Sequence, residues 1–358
     1  MAAAEKKFVK AISEWFESNR RDLPWRNTND PYKIWVSEII LQQTRVDQGL
    51  PYFNRFIKKF PNVKSLASAH EDQVLRLWQG LGYYSRARNM HRCAIKILET
   101  HFGKVPSVHA ELLKLPGIGP YTAAAVSSIS AGEPMPVIDG NVFRVLSRVF
   151  GIDTPINSSS AKKVFNDKAA VLMQEAVKEK IFPGDYNQAI MEFGALQCVP
   201  ANPDCQRCPV SSMCSARASG TQDLLPVKLP KAPKKERFIN YLILKYGNKV
   251  WMKKRQPGDV WEGLFDFLET ETKTASGNMV LVKKFQKLTG TRPGIRLIHS
   301  LKHILTHQKL YIRFFITELT ALPDKKFLAN GTFVTLQRAF RLPKPVFLDG
   351  VLRKLKEK

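Results

Sequence analysis

"LPGIGPYTAAAV", residues 115–126, is the stretch on which the fold turns. Gly117 and Gly119 let the backbone approach a ligand closely. The Ala-rich helix that follows offers unpaired N–H groups and the positive end of its dipole to a phosphate. A bare G-x-G is weak evidence by itself. Here it precedes a helix rather than following a strand, which argues against a dinucleotide fold and for a helix-hairpin-helix that grips a DNA phosphate. A similar turn, "WQGLGYYSRARN" at 78–89, sets Tyr83 and Tyr84 beside Arg86 and Arg88. Aromatic rings next to arginines suit base stacking or wedging, although the core of an ordinary helix-turn-helix looks much the same.

Outward from the hairpin, apolar residues recur at spacings of three and four from about residue 5 to 215, with Pro and Gly between the runs. The character then changes. "LPVKLPKAPKKERF", residues 225–238, carries three prolines and five positive charges, the composition of an extended basic linker. Beyond it lie β-type stretches, "INYLILKY" and "KLYIRFFITEL", and a closing helix near "VFLDGVLRKLKEK". The reading is an all-α domain over 1–220, a linker over 221–236 and a smaller α+β domain over 237–358.

Lys and Arg number 56 against 31 Asp and Glu, a formal net charge of +25, which favours a polyanionic partner through phosphate neutralisation and counterion release. Nucleic acid comes first and an anionic membrane surface second. No run of about 20 uncharged apolar residues is present, which excludes a transmembrane helix. The start, "MAAAEKKFVKAISEWF", lacks the apolar centre and cleavage site of a secretory signal, so an intracellular protein is expected.

Four of the five cysteines, Cys198, Cys205, Cys208 and Cys214, fall within seventeen residues. In a reducing compartment four thiolates in one short loop suit a tetrahedral sulfur site for zinc or an iron-sulfur cluster, and spacing alone does not choose between them. Cys93 stands apart as a small core residue.

Two carboxylates occupy unusual places. Glu38 lies in "KIWVSEIILQQT", residues 33–44, on the face shared by Ile34 and Leu41. A buried carboxylate is costly unless paired, protonated or put to use; the alternative is a partly exposed helix with Glu38 pointing to water. Asp139, in "PMPVIDGNVFRVLSRVF" at 134–150, stands at the start of a helix. A plain N-cap needs no chemistry, but capping and catalysis can coexist because the cap is held oriented and ionised. One protonated Glu and one charged Asp make the division of labour used to break glycosidic bonds.

Together "DPYKIWVSEIILQQT", "GLGYYSRARN", "LPGIGPYTA", "VIDGNVFRV" and the C-x6-C-x2-C-x5-C loop resemble the MutY-type adenine DNA glycosylases of the endonuclease III-like helix-hairpin-helix superfamily. The resemblance covers nearly all of residues 5–220 and, more weakly, the C-terminal part. It implies two helical subdomains flanking a DNA cleft, with the four cysteines holding a 4Fe-4S cluster that shapes a basic DNA-contacting loop. By the same resemblance Glu38 protonates a flipped-out adenine and later serves as base for water, while Asp139 stabilises or captures the cationic sugar with help from Asn141 and Tyr121. Trp25, Arg26, Leu41 and Gln188 match positions lining the adenine pocket. Gln43 and Tyr83 match those that fill or wedge the emptied stack, and Arg86, Gly117 and Gly119 join the DNA contacts. The implied partner is double-stranded DNA with adenine opposite 8-oxoguanine or guanine, bound by a bacterial cytoplasmic monomer.

A bifunctional glycosylase with lyase activity needs an amine nucleophile just after the hairpin, where this chain has Tyr121, so a monofunctional hydrolase is expected. The other alternative, a non-enzymatic iron-sulfur DNA-binding module, sits poorly with the presence of both Glu38 and Asp139. The C-terminal part resembles the Nudix-like recognition domain of the same family, with "GDVWEGLFDF" in place but no Arg-Glu and paired-Glu run, so no metal site is expected there. Its lesion-reading loop, usually Phe-Ser-His, is here Leu305-Thr306-His307. Leu305 keeps a wedge without a ring, Thr306 keeps the hydroxyl, and His307 is free for a phosphate or base contact. His303 and His307, four apart, read as loop histidines rather than metal ligands.

Overall fold

The computed structural model describes residues 2–230, 232–274, 294–322 and 331–356, together with positions 280, 282, 283 and 286. In chain order the helices of the first part are α1 (Ala2–Asn19), α2 (Pro31–Leu41), α3 (Val46–Lys59), α4 (Val63–Ala67), α5 (Glu71–Trp78), α6 (Ser85–Thr100), α7 (His109–Leu112), α8 (Pro120–Ala131), α9 (Gly140–Phe150), α10 (Ala161–Lys178), α11 (Pro183–Leu196) and α12 (Ser215–Ser219). A short 3-10 turn, Pro24–Arg26, precedes α2. The strands are β1 (Lys235–Tyr246), β2 (Lys249–Lys254), β3 (Phe265–Asp266), β4 (Leu268–Thr272), β5 (Arg296–Ile304), β6 (Gln308–Glu318) and β7 (Thr332–Thr335), followed by α13 (Leu336–Arg341) and α14 (Phe347–Lys356). No described helix is long and apolar enough to cross a membrane.

The chain divides into two compact units, Met1–Ser68 with Asn89–Pro230, and Ala69–Arg88 with Lys231–Lys358. The helical reading of the N-terminal part holds, but α5 and the "GLGYYS" turn group with the C-terminal sheet, which periodicity gives no means of seeing. β1 already begins at Lys235, so the end of the basic Pro-rich stretch is strand. There Arg237 is buried between Asp259, at 2.8 Å, and Glu271, at 2.7 Å.

In the helical unit α2 is closed at its start by Asp30, whose side chain accepts from the Tyr32 N–H at 2.9 Å, with Pro31 at the first helical position. Almost every residue from Tyr32 to Ile40 is buried, so the helix runs through the core rather than over its surface. It packs on α8, whose buried Ala123, Ala124 and Ala125 let the two backbones come close. Helix α11 packs against α1, α8 and α9, which brings one face of it to the same place.

The second unit is a mixed sheet in which β1 pairs parallel with β6 and antiparallel with β2 and β4. Alternation along β1 feeds both faces. Ile239, Tyr241 and Ile243 join Ile312, Phe314 and the α14 residues Leu348, Val351 and Leu352. Leu242 and Leu244 pack with Trp251, Leu268 and Phe315. The expected β-type stretches and closing helix are thus β1, β6 and α14. His303 belongs to β5 rather than to a loop; its ring lies 6.0 Å from Trp261 and 5.5 Å from Phe347, so it serves the domain's packing.

Candidate active site

Glu38 does not point to water: only 8% of it is exposed. The Tyr121 hydroxyl, from the first turn of α8, donates to Glu38 Oε2 at 2.8 Å and lies 3.3 Å from Met191 Sδ. Burial pushes the Glu38 carboxyl up to about 7. The Tyr121 hydrogen bond and the Arg26 charge oppose the rise, while Asp139 adds to it.

Asp139 caps α9. Its Oδ1 accepts from the backbone N–H groups of Asn141 and Val142, each at 2.8 Å, and its Oδ2 accepts from Asn141 Nδ2 at 2.9 Å. Asn141 is held in turn by Arg144, which donates to its Oδ1 at 3.0 Å. Burial raises the Asp139 pKa and those hydrogen bonds oppose the rise. Burial thus drives both carboxyls upward, while the three hydrogen bonds on Asp139 favour the ionised, oriented form expected of it.

Glu38 and Asp139 line one cavity of about 570 Å3, within the range of small-ligand sites. Tyr121 and Asn141 share it, as do all of the expected pocket residues, Trp25, Arg26, Leu41 and Gln188. Trp25 is fixed by an edge-on contact with Phe53, their ring centres 5.0 Å apart. Gln43 also lines the cavity, and its backbone sits at φ 56°, a left-handed conformation that a non-glycine residue adopts at a strain of about 1–3 kcal/mol.

Among the lining residues that the sequence reading did not assign to the site are Arg21, Met191 and Glu192. Glu192 is 1% exposed and accepts from Arg21 Nε and Nη2 at 2.8 and 2.6 Å and from Arg26 Nη1 and Nη2 at 2.8 and 2.7 Å. Burial alone would raise its pKa, but the two guanidinium groups hold it at about 2. The signal was present, since "NQAIMEFGAL" carries a lone carboxylate in an apolar helix just as "KIWVSEIIL" does.

At the hairpin, Gly117 has φ 80°, and a Cβ there would stand 2.6 Å from Asn89 Cβ, so both backbone and packing demand glycine. A Cβ on Gly119 would meet nothing within 4 Å. Gly119 is the N-cap of α8 and makes no side-chain capping bond, so the helix start faces open space with its N–H groups available.

Cys198, Cys205, Cys208 and Cys214 line a single small cavity. Helix α9 holds their loop from one side. Arg144 Nε donates to the Cys198 carbonyl at 2.7 Å, and Arg148 donates to the carbonyls of Val199 and Pro200 at 2.7 and 2.9 Å. Arg148 Nη1 also lies 3.5 Å from Cys198 Sγ. Among the described residues no three His, Cys, Asp or Glu side chains converge tightly enough to share one metal ion.

In the second unit Tyr83 is 43% exposed at φ 47°, and its hydroxyl is hydrogen-bonded to that of Thr306. The Arg86 guanidinium lies over the Trp78 ring at 5.2 Å and near Tyr83 at 5.7 Å, so it braces this turn. Leu305, expected as a wedge, is half buried against the sheet's core, whereas Ile304 beside it is 58% exposed. Thr306 and His307 occupy the exposed tip of the β5–β6 turn.

Residues 36–170 match the HhH-GPD superfamily base excision DNA repair protein family, and residues 240–353 match the NUDIX domain. The fold and the site therefore define a base-excision repair protein with a Nudix-like C-terminal unit. An adenine DNA glycosylase of Buchnera aphidicola subsp. Schizaphis graminum is 34% identical over 348 residues, 95% of this chain and 96% of its own length. The human adenine DNA glycosylase is 41% identical over 228 residues, 61% of this chain and 41% of that protein. The chain belongs to the adenine DNA glycosylase family. Among solved structures, a thermostable thymine-DNA glycosylase superposes with a TM-score of 0.55 at 29% identity, covering 61% of this chain and 98% of that one. A non-covalent endonuclease III–DNA complex shares the fold with a TM-score of 0.53 at 20% identity, covering 62% of this chain and 99% of that one.

Proposed function

We propose that the protein hydrolyses the N-glycosidic bond of adenine mispaired with 8-oxoguanine or guanine in duplex DNA, without a lyase step. The observation that carries this reading is the hydrogen bond from Tyr121 to a buried Glu38 in the cavity that Asp139 also lines. A base inside the duplex is out of reach, so the adenine rotates out of the stack into the cavity. Glu38, protonated below about pH 7, gives its proton to the adenine ring. The C–N bond breaks with its electron pair leaving on the base, and the positive charge left on the sugar faces Asp139. Asn141 and the α9 N–H groups hold that carboxylate in place. Glu38, now ionised, takes the proton of the incoming water, which restores the starting state. Gln43 and Tyr83 fill or flank the emptied stack, and the α8 start behind Gly117 and Gly119 takes a phosphate. Thr306 reads the lesion, its oxygen accepting the N7–H that 8-oxoguanine has and guanine lacks.

Excision of adenine opposite guanine, 8-oxoguanine and cytosine, read as alkali-revealed strand breaks, tests this assignment. Breaks opposite the first two that require added alkali, with little borohydride-trapped adduct, are expected. Efficient trapping would overturn the monofunctional reading, because it demands an amine where the chain has Tyr121.

The four cysteines are assigned as ligands of a 4Fe-4S cluster. The donor set fits: four sulfurs from one loop around one cavity, with guanidinium groups beside them to offset thiolate charge. Cys198, Cys205, Cys208 and Cys214 would hold the cluster through their sulfurs. When bound, the cluster would supply a rigid cross-link for the loop from Cys198 to Cys214 rather than redox chemistry. Purified protein is expected to be yellow-brown with about four irons per chain. One zinc per chain without visible absorbance would reject the cluster.

A further inference from the structure

We propose that Glu192 is a positioning residue of the excision reaction: by binding the Arg26 guanidinium, it withholds that charge from Glu38 and so keeps Glu38 able to carry its proton. The inference rests on the reading of Glu38 as the acid.

Arg26 creates the problem that Glu192 solves. A guanidinium lining the same cavity as a buried acid favours the ionised form of that acid. An acid that has already lost its proton cannot give one to the leaving base. The structure offsets the Arg26 charge directly. Both Arg26 Nη atoms are committed to Glu192, and the same carboxylate also takes Arg21 through Nε, Nη2 and the backbone N–H, the last at 3.1 Å. Five hydrogen bonds on one carboxylate that is 1% exposed leave it fixed and fully ionised.

The groups around Glu38 are few. Tyr121 comes from α8, Asp139 from the start of α9, Arg26 from the 3-10 turn, and Met191 and Glu192 from α11. Arg21 reaches the cavity from the segment after α1 and is influenced by Asp47, and Arg144 stands behind Asp139. Of these, Arg26 is the cation that acts to ionise Glu38, and Glu192 is its direct counter-charge.

The test is the pH profile of single-turnover adenine release at saturating enzyme. Excision needs protonated Glu38, so the rate falls on the alkaline side as pH rises through the Glu38 pKa. Glu192→Gln keeps the shape but uncovers Arg26, and its alkaline limb is expected to move down by about one pH unit. Arg26→Gln removes the cation and keeps the carboxylate, so its limb is expected to move up. The double variant should return towards the parent profile. A limb that stays in place in Glu192→Gln, with only the plateau lowered, overturns the proposal and leaves Glu192 a structural residue. Should Glu192→Gln fail to fold, the Arg26→Gln limb decides alone: an upward move supports the proposal and an unmoved limb rejects it. A separate failure, normal excision by Glu38→Gln, would sink the acid assignment itself rather than this refinement of it.

Discussion

Glu38→Gln is expected to slow single-turnover release of adenine by about 100- to 10,000-fold, the contribution of a positioned general acid, while mispair affinity stays within about threefold. The substitution changes little but the proton. The amide keeps the size of the carboxyl, its oxygen still accepts from the Tyr121 hydroxyl, and the apolar residues of α2 around it are untouched. Because burial holds Glu38 near 7, the parent rate is expected to be flat below that pH and to fall about tenfold per unit above it. The variant has no such group, so its residual rate should lose that limb. Near-normal excision by Glu38→Gln at pH 6, or a variant that keeps the parent's alkaline limb, would refute the acid role.

The same carboxylate shows why some of the molecule was legible in the sequence and some was not. Glu38 stood out because it interrupts a run whose burial is forced on all sides, and the structure keeps it buried with one specific donor. Asp139 stood out through its place before Gly140-Asn141, a local capping signal that needs no tertiary knowledge. Glu192 carries the same physical signal as Glu38 but satisfies it through Arg21 and Arg26, about 170 residues earlier, which no short pattern records. In the second unit, β1 and β6 were readable because both faces are covered and their residues are β-branched and aromatic. The two-residue β3 and the bulged β5 exist only through their partners. Grouping of residues 69–88 with the sheet likewise depends on contacts such as Lys254 with Asp72 at 2.7 Å and Gln79 with Asp349 at 2.7 Å, distant in sequence.

Asp139→Asn separates capping from chemistry at the one position where both meet. Asn caps helices about as well as Asp, so its oxygen can take the Asn141 and Val142 N–H groups that Asp139 holds at 2.8 Å. Its amide would face Asn141 Nδ2 donor to donor, and losing that bond costs about 1 kcal/mol of stability. If Asp139 were only a cap, excision would therefore survive nearly intact. If its negative charge stabilises the cationic sugar, the neutral amide removes about 3–4 kcal/mol from the transition state, a rate loss on the order of 1,000-fold. Comparing the melting temperature with the single-turnover rate of the same preparation decides between them: a shift of about 2–4 °C beside that rate loss is the expected outcome. The chemical role also predicts that mispair affinity persists, since Trp25 and the α8 start do not depend on the Asp139 charge. An Asp139→Asn protein that releases adenine within tenfold of the parent would return this residue to the capping role that its position alone explains.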